Sequence, residues 1–493
     1  MISLPEKEID LPFGFNDPLN YLETLVSWAN KYKWLYDLHI VDFFTHDQWN
    51  KLDQEWTHVL EQEENWFDTV IQLTSFEPII NPSWPETLKK YIQESNRIAL
   101  LRKQSNNERH TEFKKHMLFG MTGKKIHEVE RMSDLIHQVA KQHGISSALD
   151  LGSGQGYLSR ALAFHHDMNV LAVDMSEIQT KGAERFDRRV IRHEEKYTEE
   201  SHRGRLTHIT ELITPQNISS VLTRWGSNDD DKDISTSDTN TTPTTPSSTT
   251  TTNNDRWLIC GLHACGDLST LIMRLFAEDN DKVSCLVNVG CCYHYLSEQP
   301  GCMFPETGFP MSDSLAKMNF TMGTTARVLA CHSPWQWKHQ KQASKKSFQQ
   351  HFFRALLQKI MVDKGLASAS QAPALAHRIN KKNGFVGYVQ AALKKFGLSS
   401  DSITAEEAEQ YLEEYKYAEK QITILWTLRS LMARVLESIV LVDRWLYLKQ
   451  SVSSPQSQQK NGNDNDISPR GVWMWPLFDP MESPRNMVFV ASK

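Results

Sequence analysis

The segment 148–157, with the sequence ALDLGSGQGY, constrains the fold of this chain more than any other. It reads as a short buried strand that runs into a glycine-rich turn, and a helix is predicted to follow from about Leu158 to Phe164. A second apolar run, Asn169–Val173, ends at Asp174. A strand, glycine turn, helix and strand, with an acid roughly 20 residues after the turn, is how nucleoside cofactors are held. The segment therefore predicts a βαβ unit with a cofactor at its glycine turn.

The spacing of the glycines indicates which cofactor is bound. A dinucleotide fingerprint, G-x-G-x-x-G, needs glycine at position 157, where this chain has tyrosine. The chain instead reads D-x-G-x-G-x-G, and the carboxylate of Asp150 would repel a pyrophosphate and attract a cationic sulfonium. Asp174 is expected to accept hydrogen bonds from ribose hydroxyls. The pattern favours S-adenosylmethionine, and a glycine turn in an unrelated α/β protein is the alternative.

The stretch Met121–Glu128, MTGKKIHE, precedes the first predicted strand. Apolar residues at helical spacing from Ile126 onwards predict a helix that Gly144 stops. Since this helix leads directly into the strand, its charged first turn can lie over the cofactor, and the candidates are Lys124, Lys125, His127 and Glu128. An ordinary charged first turn is an equally good interpretation. The predicted cofactor-binding residues are Lys124, His127, Asp150, Gly152, Ser153, Gly154, Gly156, Tyr157 and Asp174.

Composition and charge narrow the class of protein. The 493 residues suffice for two to three domains, or for one domain with large insertions, and 40% hydrophobic residues indicate a globular chain. A net charge of −6 lacks the overall basic character of many nucleic-acid-binding proteins, so any basic surface must be local. No apolar run approaches the ~18 residues of a membrane span. We expect no membrane partner, and the composition indicates nothing about the oligomeric state.

The cysteines bear on the cellular compartment. All seven lie between Cys260 and Cys331, and no signal peptide precedes them. An odd number of cysteines without a secretory signal argues for reduced thiols inside the cell. We expect the protein to be cytoplasmic or nuclear.

Alternating strands and helices from residue 148 onwards predict a mostly parallel sheet with right-handed crossovers. Two final strand-like runs, Val472–Trp475 and Met487–Val490, predict a closing antiparallel hairpin, which makes this the α/β class I methyltransferase (Rossmann-like) fold. Tryptophans of the N-terminal region, such as Trp28 and Trp56, are interpreted as core residues rather than as a platform for nucleic-acid bases.

The sequence predicts five regions in chain order. They are an N-terminal helical region (1–115), a methyltransferase core (116–345), a helical insertion (346–450), a linker (451–470) and closing core strands (471–493). The core contains a disordered Ser/Thr/Asp-rich insert (227–254), and the helical insertion contains one long amphipathic helix over 425–446.

Candidate catalytic residues follow two predicted strands. In a doubly wound sheet, ligands bind at the carboxyl ends of the strands, where the segments Gly261–Ser269 and Gly290–Leu296 begin. Methyl transfer needs in-line positioning of the acceptor and removal of its proton. His263 and His294 are the candidate bases, because an unperturbed histidine has a pKa of about 6.5. Asp267 is expected to orient one of them or to act alone.

The same two segments are rich in soft metal ligands. The residues of zinc-binding type are His263, Cys265, Cys291, Cys292, His294 and Cys302. Their spacing is tighter than that of zinc-finger cysteine pairs, and free cysteines are commonly packed in cores. We therefore predict no metal here, with bound zinc as the alternative.

Several stretches together resemble the methyltransferase-like protein 25 family of class I methyltransferases. They are residues 121–129, 150–156, 261–269, 290–296 and 479–486. The resemblance implies a class I fold with S-adenosylmethionine bound at Asp150, Gly152, Gly154, Gly156 and Asp174. A more distant similarity is to tRNA 2′-O-methyltransferases with H-x-C-G and C-C-H-H motifs. His263–Gly266 matches the first motif, and Cys291–His294 departs from the second at one position.

These patterns predict an S-adenosylmethionine-dependent methyltransferase whose favoured substrate is RNA, either tRNA or rRNA. Basic and aromatic residues in 335–341, with Lys345, Lys346 and the segment 378–382, suit a stacked, phosphate-flanked strand, and a solvated face is an equal alternative. A protein methyltransferase is the enzyme alternative, since an acidic chain is no obstacle to it. A non-catalytic scaffold that binds the cofactor or zinc is the alternative from a different class.

Overall fold

A computed structural model describes most of the chain. The described residues are 4–103, 111–197, 204–226, 256–278, 282–298, 308–369, 384–453 and 469–493. The predicted disordered insert, Cys302, the basic segment 378–382 and most of the predicted linker lie outside these residues.

The chain forms two compact units, each assembled from separate stretches of sequence. Unit 1 contains residues 1–10, 101–319 and 442–493, and unit 2 contains residues 11–100 and 320–441. The N-terminal and middle helices, which the sequence predicts as two separate regions, are therefore largely joined in one unit.

Unit 1 is built on a seven-stranded sheet with the strand order β3-β2-β1-β4-β5-β7-β6. The first five strands in that order are parallel, and β7 is antiparallel to both β5 and β6. This order, with one reversed strand next to an edge, confirms the predicted class I methyltransferase fold. The strands, each close to its predicted position, are β1 (Ser147–Leu151), β2 (Asn169–Asp174), β3 (Leu206–Thr210), β4 (Trp257–Cys265), β5 (Val283–Cys291), β6 (Gly471–Pro476) and β7 (Met487–Ser492).

Helices pack against this sheet and make up nearly all of unit 2. In unit 1, α10 packs on β4 and β5, and α7 and α8 pack on β2, so the central strands are buried and apolar. The helices of unit 1 are α6 (Gly123–Gln142), α7 (Tyr157–Phe164), α8 (Glu177–Tyr197), α9 (Ile218–Gly226), α10 (Asp267–Ala277) and α11 (Asp313–Lys317). Those of unit 2 are α1 (Pro18–Lys31), α2 (Lys33–Tyr36), α3 (Gln54–Gln62), α4 (Trp66–Leu73), α5 (Glu86–Arg97), α12 (Gly323–Ala330), α13 (Lys341–Asp363), α14 (Gly384–Phe396), α15 (Ala405–Tyr415) and α16 (Ala418–Leu431), and α17 (Ala433–Val452) continues from unit 2 into unit 1.

The edge strand β6 is covered by the N-terminal segment of unit 1. The Met474 N–H donates to the Glu8 carbonyl at 2.8 Å, and Ile9 forms a parallel bridge with Met474. From α17, the indole N–H of Trp445 donates to the Val472 carbonyl at 3.0 Å. An open strand edge is a template for pairing with other chains, so these contacts protect the sheet.

Aromatic residues form much of the core of unit 2. The Tyr91 ring on α5 stacks with Trp28 and Trp56, with centroid distances of 5.6 and 5.2 Å, and all three side chains are buried. The core interpretation of Trp28 and Trp56 is thereby confirmed, whereas Trp34 is 41% exposed. The Tyr91 hydroxyl also donates to the Leu428 carbonyl at 2.7 Å, which joins α5 to α16. Among the described residues, no helix has the length and apolar character that a bilayer crossing requires.

The prediction of one amphipathic helix over 425–446 is wrong in two respects. The segment forms two helices, because the Met432 N–H bonds to the carbonyl of Arg429, three residues back, and tightens the turn. The segment is also buried on nearly all sides, including the charged residues Arg429 and Asp443. Arg429 donates to the Leu35 and Tyr36 carbonyls at 3.2 and 3.1 Å, and Asp443 accepts hydrogen bonds from residues 311 and 312. Polar positions in this pattern therefore do not face solvent.

Helix α6 stops just before Gly144, as the sequence predicts. Gly144 is left-handed, with φ of +61°. The Ile145 N–H donates to the Ala140 carbonyl at 2.8 Å and the Gly144 N–H donates to the Lys141 carbonyl at 3.3 Å. These are the two bonds of a Schellman motif, and they turn the chain directly into β1.

We expect Gly144→Ala to lower the free energy of unfolding by about 1 kcal/mol, because an L-residue is strained at positive φ. The added Cβ would approach no atom closer than 3.7 Å, so strain rather than a clash is the cause. The matched control is Gly123→Ala in the first turn of the same helix, where an added Cβ meets nothing within 4 Å. That variant is expected to be neutral or slightly stabilised. Urea unfolding compares the two, and equal effects would contradict the assignment.

Candidate active site

The predicted glycine turn lies at the carboxyl end of β1. Gly152, Gly154 and Gly156 have φ of +76°, +55° and +67°, which L-residues with side chains rarely adopt. The N–H groups of Gly152 and Ser153 both donate to the Val173 carbonyl, at 2.9 and 3.1 Å, and fix the turn to β2. A Cβ on Gly152 would lie 2.6 Å from Leu268, whereas a Cβ on Gly154 would meet nothing within 4 Å. The turn is therefore closed at Gly152 and open at Gly154, where a ligand can approach the backbone.

Asp174 links the open side of the turn to β2. Its Oδ2 accepts a hydrogen bond from the Gly154 N–H at 3.0 Å, and its Oδ1 accepts one from the Ser176 N–H at 2.8 Å. Each carboxylate oxygen has a further lone pair, and the side chain is only half-buried. Asp174 can therefore accept hydrogen bonds from a vicinal diol such as ribose.

Asp150 lies beneath the turn rather than in the open space. Its side chain is buried, and its Oδ2 accepts a hydrogen bond from the Ser159 hydroxyl at 2.6 Å. Burial raises the pKa of this carboxyl to about 6, although the bond from Ser159 acts in the opposite direction. The carboxyl thus connects β1 to α7 and still carries most of its charge at neutral pH.

A buried ion network supports the turn from the other side, and no local pattern in the sequence indicates it. The Arg160 guanidinium, fully buried on α7, donates to Asp187 at 2.7 Å and to the Gln155 carbonyl of the turn at 3.1 Å. The other oxygen of Asp187 is 2.6 Å from Nε2 of His208 on β3. The network holds the glycine turn to α8 and β3.

Three other predicted cofactor residues have protein partners. The Tyr157 hydroxyl donates to the Gly120 carbonyl at 2.9 Å. Nε2 of His127 accepts the Asp479 N–H at 3.0 Å. The Lys124 ammonium is 3.7 Å from Glu128. Direct contact of these three residues with the cofactor stays a prediction.

Exposed apolar side chains lie beside Asp174. Met175 and Ile178, which follow it, are 62% and 82% exposed. Leu212, which is 44% exposed, comes two residues after Thr210, the residue that pairs with Asp174 across β2 and β3. Large exposed apolar residues at strand ends are typical of ligand grooves, and a flat purine suits these. The sequence signal is weak, because apolar residues after an acid do not by themselves indicate exposure.

Glu128 joins three distant parts of unit 1 and was not among the predicted catalytic residues. It is fully buried on α6. Its Oε2 is 2.9 Å from Nε2 of His263, which lies in β4. Its Oε1 accepts a hydrogen bond from the Ser483 hydroxyl at 2.7 Å. The Lys125 ammonium is 3.5 Å from the same carboxylate. The sequence marks the stretches 121–129 and 479–486 only by their family resemblance, and it does not indicate that the two stretches are in contact.

The state of Glu128 fixes the tautomer of His263. Burial alone would raise the pKa of Glu128, but the hydrogen bond and charge of His263, the hydrogen bond from Ser483 and the charge of Lys125 lower it to about 2. An ionised carboxylate only accepts hydrogen bonds, so Nε2 of His263 carries the proton. In a neutral ring, Nδ1 is then the nitrogen that carries no proton.

The other two predicted catalytic residues have different surroundings. Asp267, the first residue of α10, accepts the Ser297 N–H at 3.0 Å, and the carboxylate that contacts His263 belongs to Glu128 instead. The His294 ring lies 4.0 Å from the Tyr295 ring, centroid to centroid. His263 therefore has a buried carboxylate partner that was not predicted for it.

Three of the predicted zinc-type residues meet at this edge of the sheet. The Cys265 and Cys291 sulfurs are 3.3 Å apart, and the Cys291 and Cys292 sulfurs are 3.6 Å apart. The hydrogen bond from Cys291 lowers the pKa of the Cys265 thiol to about 6. Cys260 and Cys285 are fully buried within β4 and β5, which is the packing role expected of free cysteines.

Comparison with known proteins extends this description. A family model described as a methyltransferase domain matches residues 124–299, which contain the glycine turn, Glu128 and His263. A human protein named probable methyltransferase-like protein 25 is 26% identical, with coverage of 79% of this chain and 77% of the human protein. A mouse protein of the same name is 25% identical, with coverage of 76% and 75%. A solved coclaurine N-methyltransferase bound to N-methylheliamine and SAH is 12% identical over 86% of this chain, with a TM-score of 0.19, and the strand order rather than this similarity defines the fold.

The pKa of Glu128 predicts how the stability of unit 1 depends on pH. Because the pKa is lowered from 4.5 to about 2 on folding, the carboxylate stabilises the fold above pH 4.5 and loses that effect as the pH falls towards 2. We expect Glu128→Gln to be less stable than the wild type by roughly 3 kcal/mol at neutral pH, with a difference that shrinks below pH 4.5. Urea unfolding at several pH values measures this difference. Glu64→Gln, at an exposed position, is the control and should match the wild type throughout, whereas a pH-independent deficit in Glu128→Gln would contradict the assignment.

Proposed function

We infer that the chain belongs to the methyltransferase-like protein 25 family of S-adenosylmethionine-dependent methyltransferases, and we propose that its methyl acceptor is RNA, either tRNA or rRNA. The observation that carries the proposal is a stripe of exposed arginines on α8. The stripe consists of Arg185, Arg188, Arg189 and Arg192.

The stripe has the geometry of one helix face. Its members are spaced i, i+3, i+4 and i+7, so their guanidinium groups project on the same side of α8. Asp187, the acid within this span, is buried and paired with Arg160 and His208, so it does not neutralise the stripe. The four guanidinium groups therefore place positive charge on one face of α8 in a chain with a net charge of −6. Arginines suit phosphate recognition, because the guanidinium binds phosphate oxygens in a bidentate manner.

The stripe is close to the cofactor turn. Helix α8 begins three residues after Asp174, and the Arg189 guanidinium lies 3.9 Å from the centre of the Phe119 ring. Phe119 is followed by Gly120, whose carbonyl accepts the Tyr157 hydroxyl next to the turn. An RNA backbone on the stripe would therefore lie near the methyl donor.

The basic segment 335–341 supports RNA binding less than its sequence suggests. Trp335 is buried against Phe76, and Trp337 packs edge-on against Phe348. Neither indole ring is a free stacking platform. The support for RNA as the substrate therefore comes from α8, together with the distant similarity of His263–Gly266 to tRNA 2′-O-methyltransferases.

The proposed cofactor site lies at the glycine turn and the end of β2. We propose that the ribose hydroxyls bond to Asp174, that the methionine part runs past Gly154, and that the adenine lies against Met175 and Ile178. Asp150, from beneath the turn, contributes negative charge near the sulfonium.

His263 is the proposed base. With its Nε2 proton bonded to ionised Glu128, its Nδ1 can take the proton of the acceptor as the methyl group moves. Glu128 acts through His263 as a positioning residue, and it stabilises the positive ring that results. Asp267 and His294 remain candidates in this region.

We expect His263→Asn to lower kcat by about 100-fold or more, since removal of a general base has that effect. Asparagine is chosen because it tolerates the positive φ of this position, +63°. Calorimetry should find unchanged binding of S-adenosylhomocysteine, and Glu128→Gln should shift the pH profile of kcat. His58→Ala, at an exposed histidine of unit 2, is the control. Full activity of His263→Asn together with loss in His294→Ala would transfer the role to His294.

The RNA proposal is tested with the double variant Arg188→Glu/Arg192→Glu. If both arginines contact phosphates of a single strand, the slope of log K against log salt should become less steep by about 1.4, from ~0.7 per contact. Lys394→Glu/Lys395→Glu, an exposed basic pair on α14, is the matched control and should bind as the wild type does. Transfer of labelled methyl groups to fractionated RNA and protein completes the test. Labelling of protein alone, or unchanged RNA affinity in the arginine variant, would overturn the proposal.

A further inference from the structure

Three thiols converge where β4 and β5 end. Cys265 is the last residue of β4 and pairs in register with Cys291, the last residue of β5. Their sulfurs are 3.3 Å apart, the sulfur of the adjacent Cys292 is 3.6 Å from that of Cys291, and all three sulfurs lie within 4.8 Å of one another. The cluster is not sealed in the core, because Cys265 is exposed and Cys292 is half-buried.

The backbone is strained where it brings the third thiol inwards. Cys292 has φ of +52°, in the left-handed region that few residues other than glycine, asparagine and aspartate adopt. Such strain persists only where the surroundings impose it, and it is concentrated at binding and catalytic sites. The Gly266 N–H, next to Cys265, donates to the Cys291 carbonyl at 3.2 Å and keeps the two strand ends together.

We propose that Cys265, Cys291 and Cys292 bind one Zn²⁺ ion as thiolates. With a Zn–S distance of ~2.3 Å and tetrahedral angles, thiolate sulfurs around zinc lie ~3.8 Å apart. The observed separations of 3.3 and 3.6 Å need only small adjustments to reach that value. Three sulfur ligands leave the fourth position of a tetrahedral ion open for water or another oxygen or nitrogen donor.

Core packing and a disulfide both fit the cluster less well than a metal ion does. Core packing accounts for Cys260 and Cys285, which are fully buried members of the hydrophobic core of the sheet, but it does not account for an exposed Cys265. A disulfide would join two of the three sulfurs and leave the third beside it without a bonding role. A soft divalent ion uses all three sulfurs at once.

The inference does not depend on the substrate proposal. An ion at this point would cross-link the segments after β4 and β5, and Cys265 lies two residues from His263. The sequence predicts no metal, because two adjacent cysteines and a third one far away in the chain are unlike the ligand spacing of zinc fingers. The pairing of β4 with β5 brings the separate ligands together in space.

The test uses the full chain, purified under reducing conditions, loaded with Zn²⁺ and desalted. Elemental analysis is expected to find about one zinc ion per chain in the wild type and far less in Cys265→Ser and in Cys291→Ser. Cys331→Ser, at a half-buried cysteine that follows α12, is the matched control and should keep its zinc. Circular dichroism before metal loading shows whether each variant is folded, and Cys265→Ser should fold because its side chain is exposed.

Cobalt gives an independent measurement of the ligands. Co²⁺ bound to the wild type should show a thiolate charge-transfer band and the intense visible bands of tetrahedral coordination, and Zn²⁺ should displace both. Each cysteine variant should lose charge-transfer intensity, and Zn²⁺ should raise the Tm of the wild type but not that of Cys265→Ser. Absence of zinc from the reduced wild type, equal zinc in folded Cys265→Ser, or a Cys265–Cys291 disulfide in the isolated protein would overturn the proposal.

Discussion

A buried negative charge organises the active edge of unit 1. Glu128 is removed from water, so it is tolerated only where its oxygens are bonded and a positive group is near. His263, Ser483 and Lys125 meet those needs, and they come from β4, from the connection between β6 and β7, and from α6 itself. Leaving this carboxylate unpaired would destabilise the fold. Three segments that are far apart in the sequence therefore have to meet at one point.

The cofactor turn depends on a second set of buried polar contacts. The positive φ angles of its glycines allow the backbone to fold back on Val173, and Arg160 fastens the turn to Asp187 from behind. Consequently the turn that presents the open position at Gly154 is held in place by protein groups on two sides. Pre-organisation of this kind means that little of the binding energy is needed to order the loop.

The sequence predicts the sheet well because its signals are local. Each strand is a short apolar run. The glycine turn and the end of α6 at Gly144 require glycine, which few other backbone conformations need. The contact between Glu128 and Ser483 spans 355 positions and has no local signature, so it could not be inferred. The segment 425–446 was predicted as one amphipathic helix because its apolar residues keep a helical spacing, which carries no signal for the tight turn at Met432. The spacing also does not show that Arg429 and Asp443 are bonded inside the protein. The helical spacing of the arginines on α8 can be seen in the sequence, but the acid between them, Asp187, hides the positive stripe until that acid is known to be buried.

The cover of β6 has a consequence for how the chain is made. Ile9 leaves the ribosome long before its partner Met474 is synthesised. Strand β7, which lies between β5 and β6, is translated later still. During synthesis the edge of β5 is therefore unpaired, and the N-terminal segment that contains Ile9 has no strand to pair with. A nascent or truncated chain exposes an unpaired strand edge that can associate with other chains. Assistance by a chaperone would therefore matter most before the last strands are synthesised.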